Sequence, residues 1–322
     1  MENQLENLNQ LSDKRTVFLP FAFLLTALFA IGLAPIFMKF SISEISPNAT
    51  IFNRFWMASL VFAVGNGIRA IRQHLSDNSP NEQQKLYTPK NIGLLLLVGS
   101  LYAAIQLLWA WSLSRTTVAS SVTILHGLRP LLTALGGWIL YKNRYDSKFL
   151  MGMAIAIIGA ILIGFNDFSD SINKLQGDLL SVFSAISSAL ELLIMEHLLT
   201  QFSAITLMFW CCTIGSFVTT ITLIITGDQF FPVSWLGWGA VISLALVCQV
   251  IGQGLITYSL NYLSSGVVAV TMLLDPVISS LFAWTILSEQ LNVLNGVFCC
   301  IVLLGIYLSL SSKYAVKSET LS

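Results

Sequence analysis

Charge is scarce in this chain. Of its 322 residues only 10% are Asp, Glu, Lys or Arg, against about 25% in an average soluble protein. The 16 basic and 16 acidic residues cancel, so no net charge draws the chain to nucleic acid or to an acidic substrate. Too few charges remain to cover a soluble globule. Histidine is scarcer still, at three residues, and no paired metal ligands or metal-site spacing appear. No metal and no cofactor are expected. The five cysteines, Cys211, Cys212, Cys248, Cys299 and Cys300, all lie in apolar runs and read as small packing residues rather than a disulfide framework. No Gly-rich phosphate cradle occurs, and no soluble stretch is large enough for an ATPase. Transport driven by the chain's own nucleotide hydrolysis is therefore not expected. The start of the chain, with Glu2, Glu6 and Asp13 before Lys14 and Arg15, is not a secretory signal peptide. No organellar targeting segment is evident.

What the chain has is hydrophobicity, at 55%. That excludes intrinsic disorder, which needs low hydrophobicity and high charge. The apolar residues fall in runs near 18–40, 47–68, 91–112, 117–140, 148–165, 177–199, 203–226, 236–260, 264–287 and 291–312. Each is long enough to cross a bilayer core of roughly 30 Å as a helix. None alternates with the two-residue period of a membrane barrel strand. The expected fold is an all-α membrane protein of ten transmembrane helices, because helices satisfy their own backbone hydrogen bonds in lipid.

Basic residues set the orientation. With the N-terminus inside, eleven Lys and Arg fall in inside segments, among them Arg69, Arg72, Lys142, Arg144 and Lys313. The outside loops hold Arg115 and Lys174, with Lys39 at the end of the first span. Both termini are expected in the cytoplasm, with the inner or plasma membrane as the location. The longest loop, about 69–90, reads as a solvated linker.

The chain also repeats itself. Gln106, Ser112 and Leu113 match Gln253, Ser259 and Leu260 at an offset of 147, and Pro130 matches Pro276 at 146. A Gly-bearing span follows each copy, with Gly152, Gly159 and Gly164 in the first and Gly296 and Gly305 in the second. The expected organisation is a cytoplasmic tail at 1–17, a five-helix repeat at 18–165, a second at 166–312 and a cytoplasmic tail at 313–322. Five is odd, so the second repeat enters the membrane inverted. Inverted repeats with a site between them are a recurring plan of secondary transporters.

The same residues resemble the drug/metabolite transporter superfamily, specifically the EamA-type transporters. The run from Asp275-Pro276 to Glu289, then Gly296 and Gly305, is similar to the family's mid-helix Pro, following Glu and Gly-spaced last span. Ala34-Pro35, Lys39, Arg54 and Pro130 look similar in the first half. One departure is that Asn143 stands where Glu289 has its counterpart. The resemblance covers roughly residues 20–312. It implies a ten-helix transporter, commonly an exporter of small metabolites, with a central cavity lined by both halves.

Charges inside the spans cost roughly 2.5–3.5 kcal/mol each on insertion scales. Arg54, Arg129, Glu191 and Asp275 lie deep. Arg129 and Asp275 each precede the repeated Pro. They could meet across the two-fold, either as a midplane pair that opens for a charged or zwitterionic substrate or as a permanent structural pair. Pro35, Pro130 and Pro276 read as hinges or as simple kinks. Glu191 follows a stripe of Ser184, Ser187 and Ser188. It reads as a proton-coupling carboxylate, a contact for a cationic group, or a protonated side chain bonded to a neighbouring helix. Asp275 is the other proton-coupling candidate. His126, one turn before Arg129, reads as a packed residue or a relay. Gln249, Gln253 and Thr257 on one span, with Tyr102 and Gln106 on its counterpart, suit either a cavity wall or helix–helix bonding. Trp109, Trp111 and Tyr258 would wall an apolar pocket or sit in an interfacial belt. Arg54 and Lys39 are expected to snorkel toward the outer interface or to pair with a helix end.

The candidate substrate site is therefore Arg129, Asp275, Glu191, Gln106, Gln253, His126 and Tyr258, with no catalytic residue. No aspartate cluster for a metal-bound diphosphate exists, and no nucleophile motif lies near His74, His126 or His197. An enzyme is not expected. The expected function is a secondary transporter, an exporter of a small metabolite such as an amino acid or other zwitterion, working by alternating access and coupled to protons. The expected partners are the bilayer, the substrate, protons and further copies of the chain. A passive channel or a scaffold is the alternative.

Overall fold

A computed structural model of the chain describes residues 19–75, 87–116, 118–142, 145–165, 172–287 and 293–312. The expected tails at 1–17 and 313–322, the middle of the long loop, and both Asn143 and Glu289 lie outside the described residues. Every element among the described residues is helical. The helices are α1 (Leu19–Ile42), α2 (Pro47–Leu75), α3 (Pro89–Leu113), α4 (Val118–Tyr141) and α5 (Ser147–Phe165). They continue with α6 (Ile172–Leu198), α7 (Ala204–Thr226) and α8 (Trp235–Ser259). Helix α9 comes in three pieces, Ser265–Thr271, a 3-10 turn Met272–Leu274, and Asp275–Leu287. Helix α10 is Val293–Leu310. Of these, α1, α3, α7, α8 and the Leu175–Leu198 part of α6 are long and apolar enough to cross a membrane.

The starts follow from local chemistry. Thr88, Ser203, Ser234 and Ser264 each hold extended backbone and accept a hydrogen bond from the N–H three residues on. That fills donors that a helix N-terminus leaves unbonded. Helix α7 ends at Gly227, whose φ of 68° is left-handed and is tolerated because glycine has no Cβ. Helix α2 runs to Leu75, beyond the apolar run that ends near 68. Its last turns carry Arg69 and Arg72, so the helix outlasts its hydrophobic stretch.

Three helices lose regularity. Helix α1 is interrupted at Leu33, just before Pro35. Helix α8 winds as a π-helix over Leu244–Gln253. Helix α9 tightens into its 3-10 turn immediately before Asp275-Pro276. Pro130, by contrast, sits inside an unbroken α4.

The tightest packing joins α5 to α10, α3 to α6, α2 to α7 and α4 to α6. Between α5 and α10 it is backbone on backbone. A Cβ on Gly152 would meet the carbonyl oxygen of Gly305 at 2.6 Å, and one on Gly305 would meet that of Gly152 at 2.6 Å. Small residues allow this approach, which drives helix association where lipid removes the hydrophobic gain. One hydrophobic cluster runs through both halves, from Leu24 to Ile306. Outside it many large apolar side chains are exposed, including Trp138, Phe217, Ile225 and Tyr307. Cys211, Cys212 and Cys248 are free and buried, as expected of packing residues, whereas Cys300 is free and exposed.

Candidate functional site

The polar residues inside the bundle converge on one cavity of about 50 Å³. Its wall takes Pro35 from α1, Arg54 from α2, Gln106 from α3, His126 and Arg129 from α4, Ser188 and Glu191 from α6, Gln253 from α8 and Asp275 from α9. Thus Gln106, His126, Arg129, Glu191, Gln253 and Asp275, the expected site residues but one, share a single space. The exception is Tyr258. It is 37% exposed, and its hydroxyl lies 3.2 Å from that of Tyr262, with its ring edge-on to Phe23. Pro130 and Pro276 flank lining residues without being part of the wall.

The expected Arg129–Asp275 pair does not form. Arg129 Nη2 instead donates to Glu191 Oε2 at 3.5 Å, and its Nη1 to the Met272 sulfur at 2.9 Å. Asp275 Oδ2 lies 3.1 Å from His126 Nε2. His126 comes one turn before Arg129 on α4 and reaches the Asp275 carboxylate of α9, while Arg129 meets the Glu191 carboxylate of α6 and the Met272 sulfur of α9. The two cross-helix pairs tie α4 to α6 and α4 to α9.

Arg54 does not snorkel. It is 1% exposed. Its Nε donates to Gln249 Oε1 at 2.8 Å and its Nη1 to Gln106 Oε1 at 3.0 Å. Gln249 in turn donates to the Tyr102 hydroxyl at 2.6 Å. Tyr102 and Gln249 are 147 residues apart, the offset of the sequence repeat. Equivalent positions touch one another only close to a two-fold axis.

Buried polar groups are nearly always bonded, and this cavity departs from that rule. His126 Nδ1, Arg129 Nε, Ser188 Oγ, Asp275 Oδ1 and Trp109 Nε1 are buried, line the cavity and have no hydrogen-bond partner. Donors and acceptors of both kinds therefore stand ready around one space. Among the described residues no group of three or more His, Cys, Asp or Glu could hold a metal ion.

At one end of the bundle the loops before α2 and before α8 are tied together. Glu44 accepts from the backbone N–H of Ser234 at 2.6 Å, from its hydroxyl at 2.5 Å, and from the N–H of Val233. These bonds, led by the Ser234 hydroxyl, hold the Glu44 carboxyl below its ordinary pKa. Asn48 donates to Asp228 at 2.8 Å and accepts from Trp111 Nε1 at 2.7 Å. Partial burial pushes the Asp228 carboxyl up, but bonds from Ser46, Asn48 and Thr226 outweigh it and leave the pKa lowered.

Arg54 is the lining charge that sequence reasoning misplaced. Its signal was the same as that of Arg129, a charge well inside an apolar run. Met272 and Ser188 carry no such signal singly, although Ser188 belongs to the hydroxyl stripe before Glu191.

Known proteins share sequence or fold with this chain. A chain from Methanothermobacter thermautotrophicus described as an uncharacterized transporter is 22% identical over 293 residues, covering 88% of this chain and 84% of its own. Another of the same description from Archaeoglobus fulgidus is 23% identical over 286 residues, covering 87% and 93%. A solved crystal structure shares the fold with a TM-score of 0.71 at 15% identity, over 92% of this chain and 96% of that one. The EamA-like transporter family matches twice in tandem, at residues 19–165 and 175–311. With a polar cavity walled by helices from both matched segments, the chain belongs to the EamA-like transporter family and is an integral, multi-pass membrane protein.

Proposed function

We propose that this transporter is a secondary carrier that exports a small metabolite, such as an amino acid or another zwitterion, by alternating access. The observation that carries this reading is the cavity itself. It sets guanidinium groups and carboxylates around one space, with buried polar atoms on both left unbonded. A zwitterion offers partners for both. A cavity of about 50 Å³ holds a few waters and is far below the roughly 300–1,000 Å³ of ligand pockets. That fits a closed state, which must open to load.

The carrier would span the membrane ten times, as inverted halves at 18–165 and 166–312, with both termini in the cytoplasm and the inner or plasma membrane as host. Support comes from the tandem family match and from the reciprocal Gly152–Gly305 contact. Glu191 and Asp275 are the proton-coupling candidates. Each has a basic partner within reach, Arg129 or His126. Protonating the carboxylate would loosen that pair and free α6 or α9 from α4.

Counterflow in proteoliposomes tests both parts. Preloaded metabolite should drive uptake of labelled amino acid, and an imposed pH gradient should accelerate it. The absence of exchange across a broad metabolite panel overturns the carrier reading. Glu191→Gln should leave exchange running and abolish its dependence on the pH gradient. An unaltered pH dependence in that variant, and in Asp275→Asn, removes the coupling role.

A further inference from the structure

Arg54 stands apart from the other charges of the cavity. Glu191 and Asp275 each have a basic side chain at hand, at 3.5 and 3.1 Å. Arg129 has Glu191. Among the described residues Arg54 makes no ion pair, and its two hydrogen bonds go to the neutral amide oxygens of Gln106 and Gln249. A guanidinium cannot shed its charge by losing a proton inside a protein, so the cation is a permanent feature of the site. It is also firmly aimed. The two amides hold two of its three nitrogens, Nε and Nη1, and Gln249 is itself bonded to Tyr102 and lies 3.5 Å from Cys212 Sγ.

A charged group within a bundle usually marks a substrate path, and here the cavity wall includes Arg54 itself. The planar fork of a guanidinium matches a carboxylate in two-point bonding. The amides leave part of that fork unused. We infer that Arg54, oriented by Gln106 and Gln249, is the receptor for a carboxylate group of the transported molecule. Glu191 and Asp275 then face the rest of the substrate, and a molecule lacking the carboxylate is refused because it leaves the cation unpaired. This deepens the proposed carrier function and rests on it only where movement is measured.

Two measurements on the purified full-length protein test it. The first is ligand-induced thermal stabilisation in detergent, using a panel of L-amino acids, the matching amino-acid amides and small monocarboxylates. The second is counterflow of the same probes in proteoliposomes. The acids should stabilise the protein and exchange, and the amides should do neither. Arg54→Gln should weaken binding and exchange of the acids by about ten- to a hundredfold while keeping a monodisperse, helical protein. Arg54→Lys, a point charge without the fork, should recover part of the loss and keep the preference for acid over amide. If Arg54→Gln does not fold, Arg54→Lys decides alone, since unchanged affinity and unchanged selectivity in it overturn the inference. So does equal binding of acids and amides, binding of acids untouched by Arg54→Gln, or no binding of any acid. Binding of acids through Arg54 without exchange would sink the carrier reading and leave the receptor standing. Exchange that ignores Arg54 would do the reverse.

Discussion

Helices α3 and α4 are regular from end to end, whereas α8 and α9, their counterparts in the sequence repeat, are not. Gln106 and Gln253 occupy equivalent places, yet one sits in continuous α-helix and the other closes a π-helical stretch. Pro130 and Pro276 are equivalent too, but only the second follows a 3-10 turn. The lesson is that a proline does not set the local winding by itself. Pro130 is carried inside α4, which is pinned on two sides by the Arg129–Glu191 and His126–Asp275 contacts. Pi and 3-10 segments within helices recur at functional sites and hinges. Helices α8 and α9 thus hold an adaptable part of the cavity wall, and α3 and α4 hold a rigid part.

Substitutions on the two sides would break or sharpen that contrast. The largest effect is expected at Arg129. Arg129→Met strips the buried Glu191 of its partner, and breaking a buried pair costs about 3–5 kcal/mol. Chemical denaturation in detergent should show it, and Asp275→Asn, which can still bond His126, should lose clearly less. Equal losses would mean that α4 is no more firmly pinned than α9. The prolines come next. Replacing a proline within a helix by alanine restores a backbone bond, a gain of up to about 3 kcal/mol. Pro130→Ala should stabilise the protein and leave exchange near wild type. Pro276→Ala should slow exchange several times more, because it straightens the wall expected to move. Identical exchange rates would end the contrast.

The smallest effect concerns the start of α8, where Ser234 caps the helix as Thr88 caps α3 and Glu44 holds Ser234 from the loop before α2. The Glu44 carboxyl is held below its ordinary value in the folded protein. Its contribution is therefore complete above the unfolded value near 4.5 and is lost as pH falls through the lower folded value. A thermal midpoint measured from pH 7 to pH 3 should show Glu44→Gln slightly less stable near neutrality, with the gap closing toward the acid end. A gap that stays constant with pH would assign Glu44 a role without charge.

The helix positions were legible because lipid demands long apolar runs, and α7 begins and ends within a residue of its run. The membership of the cavity was legible as well, since a charge or amide amid apolar residues has few places to go. Pairing was not. Arg129 and Asp275 are equivalent in the repeat, but which carboxylate a guanidinium meets depends on helix rotation, and one turn along α4 gives Asp275 to His126. Tyr258 was misplaced for a related reason. Its nearness in sequence to Gln253 and Thr257 does not fix the face it takes, and its ring lies on the exterior against Phe23 and Tyr262. Arg54 was judged by its nearness to a span end, although its two glutamine partners come from other helices and no local pattern announces them.

The opposite signs at the two repeated positions have one more consequence. Equivalent positions of the sequence repeat carry, at Arg129 and Asp275, charges of opposite sign. The cavity therefore has an electrical direction, with a positive and a negative wall fixed to different halves. A ligand with its own dipole is held one way round, like a compass needle, rather than in either of two equal poses. If the halves rock as proposed, the head of the cargo would stay with the same half throughout the crossing.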